Sequence, residues 1–286
     1  MADSPFLVVI TDLDGSLLDE QTYSSEAARD ALDVLARAGV PVVACSSKTH
    51  AEIAQIRREL EIGHPFICEN GGALIIPDGY FPMVPRVARR VPDGFAIEFG
   101  SPYQDVVEAL HTTAARLRTP VVGFSDMSVE EVAHACDLPV EQARLAKQRQ
   151  YDEPFRLVDA TPAAHTRLRA ALHVRGFRCT RGGRFDHVAG GTDKGVPLGA
   201  LKALYQRYVG QPVLTVGLGD RQNDVSLLAN VDLPIIVRTR ATAVTSRILA
   251  QVPSARVTRV PGGAGWSEGI FEVLDAVRPS VAEAWQ

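Results

Sequence analysis

Short apolar runs alternate with amphipathic stretches along the first third of the chain. Residues 6–10 are five apolar positions in a row, the pattern of a strand buried on both faces. Residues 25–38 place Ala28, Ala31, Leu32 and Leu35 on one helical face, with Gly39 as a stop. Residues 40–45 predict a second strand. Thr49 and Glu52 have the spacing of a capping box, and Ile53, Ile56 and Leu60 give the helical stripe behind it. Residues 65–68 predict a third strand. The stretch ALIIPDGYF, residues 73–81, reads as a hairpin turned at Pro77-Asp78-Gly79. The order β-α-β-α-β predicts a parallel sheet covered by helices.

The alternation returns near the other end. Residues 195–208 predict a helix with Leu201, Leu204, Tyr205 and Tyr208 on one face. Strands are predicted over 213–216 and 233–237, and helices over 224–229, 242–250 and 270–277. Between 84 and 186 the rhythm differs. FAIEFG predicts a strand, Tyr103–Leu117 a helix, and Ser128 with Glu131 a second capping box. A further helix starts near Asp137 and Pro139 and reaches the 147–149 region. Strands are expected over 155–158 and 176–180. This reads as an α+β domain, 84–186, inserted between two halves of one α/β core, 1–83 and 187–286.

Composition narrows the class. The 286 residues suffice for one large or two modest domains, and hydrophobic content of 46% with 22% charge is ordinary for a globular chain. A net charge of −4 argues against a nucleic-acid binder. The charge is uneven, for residues 139–190 hold ten Lys or Arg against five Asp or Glu. That stretch is either a solvated face or a site for an anion. Cys45, Cys68, Cys136 and Cys179 form no CxxC and fit the reduced thiols of a cytoplasmic protein. The opening apolar run is too short for a signal peptide, and no stretch approaches the ~18 apolar residues of a membrane span.

Four strand ends carry candidate chemistry, and in open parallel sheets functional groups gather there. In DLDGS, Asp12 and Asp14 crowd one end, with Asp19 close behind. A bound metal would offset their repulsion, and oxygen ligands without His or Cys favour Mg2+ over zinc. Asp12 would then be a nucleophile toward phosphorus, and Asp14 the acid and base. In CSSKT, Ser46 and the N–H groups after it face a helix start suited to phosphate oxygens. In GTDKG, Lys194 stands where a helix dipole disfavours a cation, which suggests a bound anion. In GLGDRQND, two glycines permit close approach and Asp220, Asn223 and Asp224 supply oxygens; the third glycine of a dinucleotide fingerprint is missing. Each motif alone also fits a polar loop or a helix cap.

In this order the four motifs resemble the haloacid-dehalogenase-like phosphatases. ENGGALI after the third strand looks like the subclass with a large α/β cap. GFSDMSVEEVA, EQARLAKQRQYDEPF, GGRFDHVAGGTDKG and PGGAGW are similar to mannosyl-3-phosphoglycerate phosphatases, over nearly the whole chain. Ser16 stands where that pattern has Thr, and Arg221 where it has a small residue. The resemblance implies a Rossmann-like α/β core with an α+β cap, and a Mg2+-dependent phosphatase releasing mannosylglycerate and phosphate. It implies Asp12 and Asp14 as catalytic residues, and Asp12, Asp14, Asp220 and Asp224 as the metal site. Ser46, Ser47 and Lys194 would bind phosphate. Lys147, Arg149, Glu153, Arg184, His187 and Asn223 would bind the rest of the substrate. Arg149 with Glu153 also fits a local ion pair, and His187 a structural histidine. A glucosyl substrate, another sugar phosphate, a phosphomutase and a phosphate sensor remain open. Neither nucleic acid nor membrane is expected as a partner, and the chain is expected as monomer or homodimer.

Overall fold

The computed structural model describes residues 5–159, 161–181 and 184–281, with side chains to residue 277. In chain order the elements are β1 (Phe6–Thr11), α1 (Arg29–Arg37), β2 (Val42–Cys45), α2 (His50–Glu59), β3 (Phe66–Cys68) and β4 (Ala73–Pro77). Then come β5 (Arg89–Val91), β6 (Gly94–Glu98), α3 (Tyr103–Leu117), β7 (Val121–Gly123), α4 (Val129–Cys136) and α5 (Val140–Ala146). β8 (Asp152–Leu157), α6 (Pro162–Val174), β9 (Phe177–Arg181) and β10 (Asp186–Gly190) follow. The chain closes with α7 (Leu198–Val209), β11 (Val213–Gly219), α8 (Val225–Ala229), β12 (Leu233–Arg238), α9 (Thr242–Gln251), β13 (Arg256–Pro261) and α10 (Gly262–Val281).

These elements form two compact units. The first comprises Met1–Cys45, Asp78–Val84 and Leu198–Gln286. Its strands run β13-β12-β11-β1-β2, all parallel. Val8, Val9 and Ile10 are fully buried, as the unbroken apolar run requires of a strand covered on both faces. The second unit comprises Ser46–Pro77 and Pro85–Pro197. It holds the antiparallel run β3-β4-β6-β5 and a separate antiparallel sheet, β7-β8-β10-β9. Phe155, Leu168, Leu172 and Val188 are fully buried behind that sheet, together with Val106 and Leu110 of α3. An α/β chain with a mainly parallel core sheet and a separate antiparallel cap sheet is the expected fold class.

Local signals translate directly. Thr49 accepts from Glu52 N while Glu52 accepts from Thr49 N, and Ser128 with Glu131 does the same at α4. Gly39 takes φ +65° after α1. The predicted 73–81 hairpin is not formed. β4 pairs with β3 and β6, and the segment beyond it turns away. The turn at Asp78-Gly79 does form, with Gly79 at φ +70°, but the second arm does not pair: Phe81 is 5% exposed and packs edge-on to Tyr205 and Tyr208 instead. α7 starts at Leu198 rather than residue 195, and α10 starts eight residues before the predicted 270. Gly182 and Gly183 of the GGRFDHV motif lie outside the described residues.

Candidate active site

β1 ends at Thr11, and the chain turns at once through Asp12. Asp12 N donates to Leu218 O of the neighbouring β11 at 2.9 Å, which carries the parallel ladder one residue beyond the strand. Asp12 is 5% exposed. Behind it Trp266, wholly buried in α10, donates through Nε1 to Thr11 Oγ1 at 2.8 Å. Thr11 Oγ1 in turn donates to Asp12 O at 2.7 Å. Gly15 takes φ +83°, and a Cβ there would stand 2.6 Å from Asp220 Oδ2, so the loop closes only with glycine.

Asp220 and Asp224 follow the end of β11. Asp224 Oδ2 accepts the backbone N–H of Asp220 at 3.0 Å and of Arg221 at 2.8 Å. Ser16 Oγ donates to Asp220 Oδ1 at 3.2 Å, so the hydroxyl expected after DxDG has a partner. The ligand oxygens of Asp12, Asp220 and Asp224 lie within 4.8 Å of one another, and all three residues are buried. Three buried carboxylates so close repel strongly unless a cation offsets them, and an all-oxygen donor set suits a hard divalent ion. The residues present therefore fit a metal ion. The group comprises those three aspartates, and the half-buried Asp14 is not among them. Asn223 sits in the same loop, half-buried.

The second unit carries the remaining predicted residues. Ser46 is 1% exposed; its N donates to Ile67 O at 3.0 Å and its carbonyl accepts from Asn70 N at 3.0 Å. Its Oγ accepts from Lys48 N at 3.2 Å, and Ser47 precedes the helix start. Lys194 lies in the turn before α7 and is fully buried. A buried ammonium is stable only among anionic or carbonyl oxygens. Its loop is held by Thr192, whose Oγ1 donates to Gly71 O at 2.7 Å.

The cap residues are less uniform. Arg149 has a side chain only 5% exposed; Nε donates to Ala146 O, and Nη1 to Ser47 O at 2.8 Å and Asp152 Oδ1 at 3.2 Å. His187 Nδ1 shares Asp152 Oδ1 at 2.7 Å, and Asn70 donates to Asp152 Oδ2 at 2.9 Å. Burial works to raise the Asp152 pKa, but His187, Arg149 and Asn70 outweigh it and hold the carboxyl below the usual range. Glu153 binds Tyr103 Oη at 2.6 Å and Ser125 Oγ at 2.7 Å, which is a link inside the cap and not an ion pair with Arg149. Burial still pushes its pKa up. Lys147 Nζ clips the carbonyls of Phe124 and Met127, whereas Arg184 is exposed and reaches Cys136 O.

Sequence reasoning assigned no role to Glu69. It is fully buried and accepts the backbone N–H of Gln150, Tyr151 and Asp152 at 2.8–3.0 Å. Burial pushes its pKa up to about 7 against the pull of Arg149 and those N–H groups. Glu69, Asn70 and Gly71 all have positive φ, so ENGG itself was the available signal of a constrained turn.

A parallel sheet with buried carboxylates beyond its β1 and β11 ends, in a chain that also carries a four-stranded antiparallel cap sheet, defines a haloacid dehalogenase-like hydrolase. Residues 9–80 match that family. Solved structures with the same fold include a phosphatase of this superfamily from Bacteroides thetaiotaomicron, TM-score 0.65 and 18% identity over 96% of both chains. A sucrose-phosphatase from Synechocystis gives TM-score 0.62 and 14% identity, covering 96% of this chain and 98% of that one. The glucosyl-3-phosphoglycerate/mannosyl-3-phosphoglycerate phosphatase of Methanococcoides burtonii is 36% identical, over 93% of this chain and 97% of its own. The mannosyl-3-phosphoglycerate phosphatase of Pyrococcus furiosus is 34% identical, over 80% and 90%. The chain belongs to this family of phosphoric monoester hydrolases.

Proposed function

We propose that the chain is a Mg2+-dependent phosphatase that hydrolyses mannosyl-3-phosphoglycerate to mannosylglycerate and phosphate. The supporting observation is the buried Asp12–Asp220–Asp224 group at the parallel strand ends, in a chain 34% identical to a mannosyl-3-phosphoglycerate phosphatase and 36% identical to a glucosyl-3-phosphoglycerate/mannosyl-3-phosphoglycerate phosphatase. Asp12 attacks phosphorus, and the bond from phosphorus to the glycerate oxygen breaks. Asp14 gives its proton to that oxygen. Water then attacks the aspartyl-phosphate, Asp14 takes the proton, and Asp12 is restored with release of phosphate. Bound Mg2+ supplies positive charge against the phosphoryl oxygens. Asp12, Asp220 and Asp224 would hold it, with Asp14 at the same loop. Ser46, Ser47 and Lys194 take the phosphate oxygens, by their match to the family motifs.

The segment 84–186 is read as the cap that selects the sugar and the glycerate. Arg184 is taken as the cation that meets the glycerate carboxylate, because its side chain is exposed although one nitrogen donates to Cys136 O; Lys147, Glu153 and His187 are more fully engaged within the cap. A glucosyl substrate is the second reading, because two relatives at 35–36% identity carry both activities in their names. Phosphate release from mannosyl- and glucosyl-3-phosphoglycerate, sucrose phosphate and p-nitrophenyl phosphate, with Mg2+, tests the reading. A kcat/KM on both phosphoglycerates no better than on the generic ester would refute it.

A further inference from the structure

Arg221 grips two of the three clustered carboxylates. Its backbone N–H donates to Asp224 Oδ2 at 2.8 Å, and its Nε lies 3.5 Å from Asp220 Oδ2. Its far nitrogen, Nη2, is paired with Glu20, so the side chain is held at both ends. It is 26% exposed, and therefore only partly screened by water. Burial alone would lower its pKa; Asp220, Glu20 and Asp12 reverse that and raise it. A guanidinium does not lose its proton at any working pH, so this charge is permanent.

We propose that Arg221 is a tethered counter-cation that lowers the affinity of the Asp12–Asp220–Asp224 group for its divalent ion. The proposal rests on the reading of that group as a Mg2+ site. Two effects act in the same direction. Without metal, the guanidinium offsets the mutual repulsion of the aspartates and so stabilises the empty cluster. With metal, it adds a third positive charge against a carboxylate already shared with the ion. The Glu20 pair keeps it from swinging clear, so the ion must bind in its presence. Arg221 touches the ligands and not the reacting atoms, which makes it a positioning residue. The enzyme would then respond to free Mg2+ over a higher concentration range than a chain with a small neutral residue there.

Isothermal titration of Mg2+ into metal-stripped protein tests this without any turnover. Arg221→Ser and the longer neutral Arg221→Gln should both bind Mg2+ about five- to fiftyfold tighter than wild type, which is ~1–2.3 kcal/mol. Arg221→Lys, which keeps the charge, should stay within about threefold of wild type. The gap between wild type and Arg221→Ser should narrow as ionic strength rises. Far-UV circular dichroism checks that each variant is folded, and Arg221→Gln stands in if the serine variant is not. Equal or weaker binding in the neutral variants, with wild type binding normally, overturns the role of Arg221 and leaves the metal site standing. No binding in any protein overturns both.

Discussion

Arg149 and Asp152 form an ion pair at 3.2 Å whose side chains are 5% and 0% exposed. With Glu69 and His187 around it, this pair is a buried charge cluster inside one unit. Removing one partner strands the others without compensation. Arg149→Ala should therefore lower unfolding free energy by about 3–5 kcal/mol in urea denaturation. Arg184→Ala, on the exposed face, should stay within about 0.5 kcal/mol. A neutral result for Arg149→Ala would show that water reaches the cluster.

Arg184 should matter for selectivity instead. A charge-assisted bond to the glycerate carboxylate contributes roughly 1.5–3 kcal/mol. Arg184→Ala should lower kcat/KM on mannosyl-3-phosphoglycerate by roughly ten- to a hundredfold, and much less on p-nitrophenyl phosphate. Equal losses on both substrates would assign it to the phosphate or to the fold.

Asp12→Asn replaces the proposed nucleophile while keeping the shape of the side chain. Turnover should fall by on the order of a thousandfold or more. Steady-state phosphate release, beside a circular dichroism spectrum like that of wild type, is the check. Substantial residual activity would move the nucleophile elsewhere.

Chelation should act through the same carboxylates. EDTA should abolish activity, and added Mg2+ should restore it. Asp220→Ala should raise the Mg2+ concentration needed for half-maximal activity, or abolish turnover. Full activity after exhaustive chelation would take the ion out of the reaction.

Buried Glu69 and half-buried His64, both of the second unit, give opposite pH dependences. Glu69 has a folded pKa of about 7, above its ordinary 4.5. Its contribution is complete below pH 4.5 and is lost as pH rises through 7. His64 is pushed by burial, with help from Arg57, down to about 4 from 6.5. Its contribution is complete above pH 6.5 and is lost as pH falls toward 4. Between pH 4.5 and 6.5 they offset each other. Glu69→Gln leaves His64 unopposed, so its stability should drop more steeply on acidification than that of wild type. The difference in slope approaches ~1.4 kcal/mol per pH unit at most. Parallel stability–pH curves for the two proteins would exclude Glu69 as the source.

The parts of this structure legible in the sequence are those set by near neighbours. Both capping boxes join residues three apart, and Tyr103–Leu117 was bounded correctly by its own periodicity. The DxD and GDxxxD stretches stood out because their order along the chain resembles a known phosphatase pattern, and the structure brings Asp12, Asp220 and Asp224 of them together. The strand β13 and the helix α6 gave weaker patterns, with arginines among their apolar positions. Glu69 was illegible because its partners lie 81–83 residues away. The engaged state of Arg149 was hidden for the same reason: Ser47 is 102 residues off.

The hydrogen bond from Trp266 to Thr11 spans 255 residues, and β1 lies between β2 and a β11 that begins only at Val213. On the ribosome, Asp12 emerges about 200 residues before β11, and its strand waits for that stretch to be made. Half of β1's hydrogen-bonding edge stays open throughout that interval, an invitation to mispairing. Such distant closures also slow folding, because the loop entropy is spent before any contact repays it. Nascent chains halted before residue 213 should thus be inactive and sticky. Competence for catalysis should arrive late, once α10 has left the exit tunnel and locked the first strand from behind.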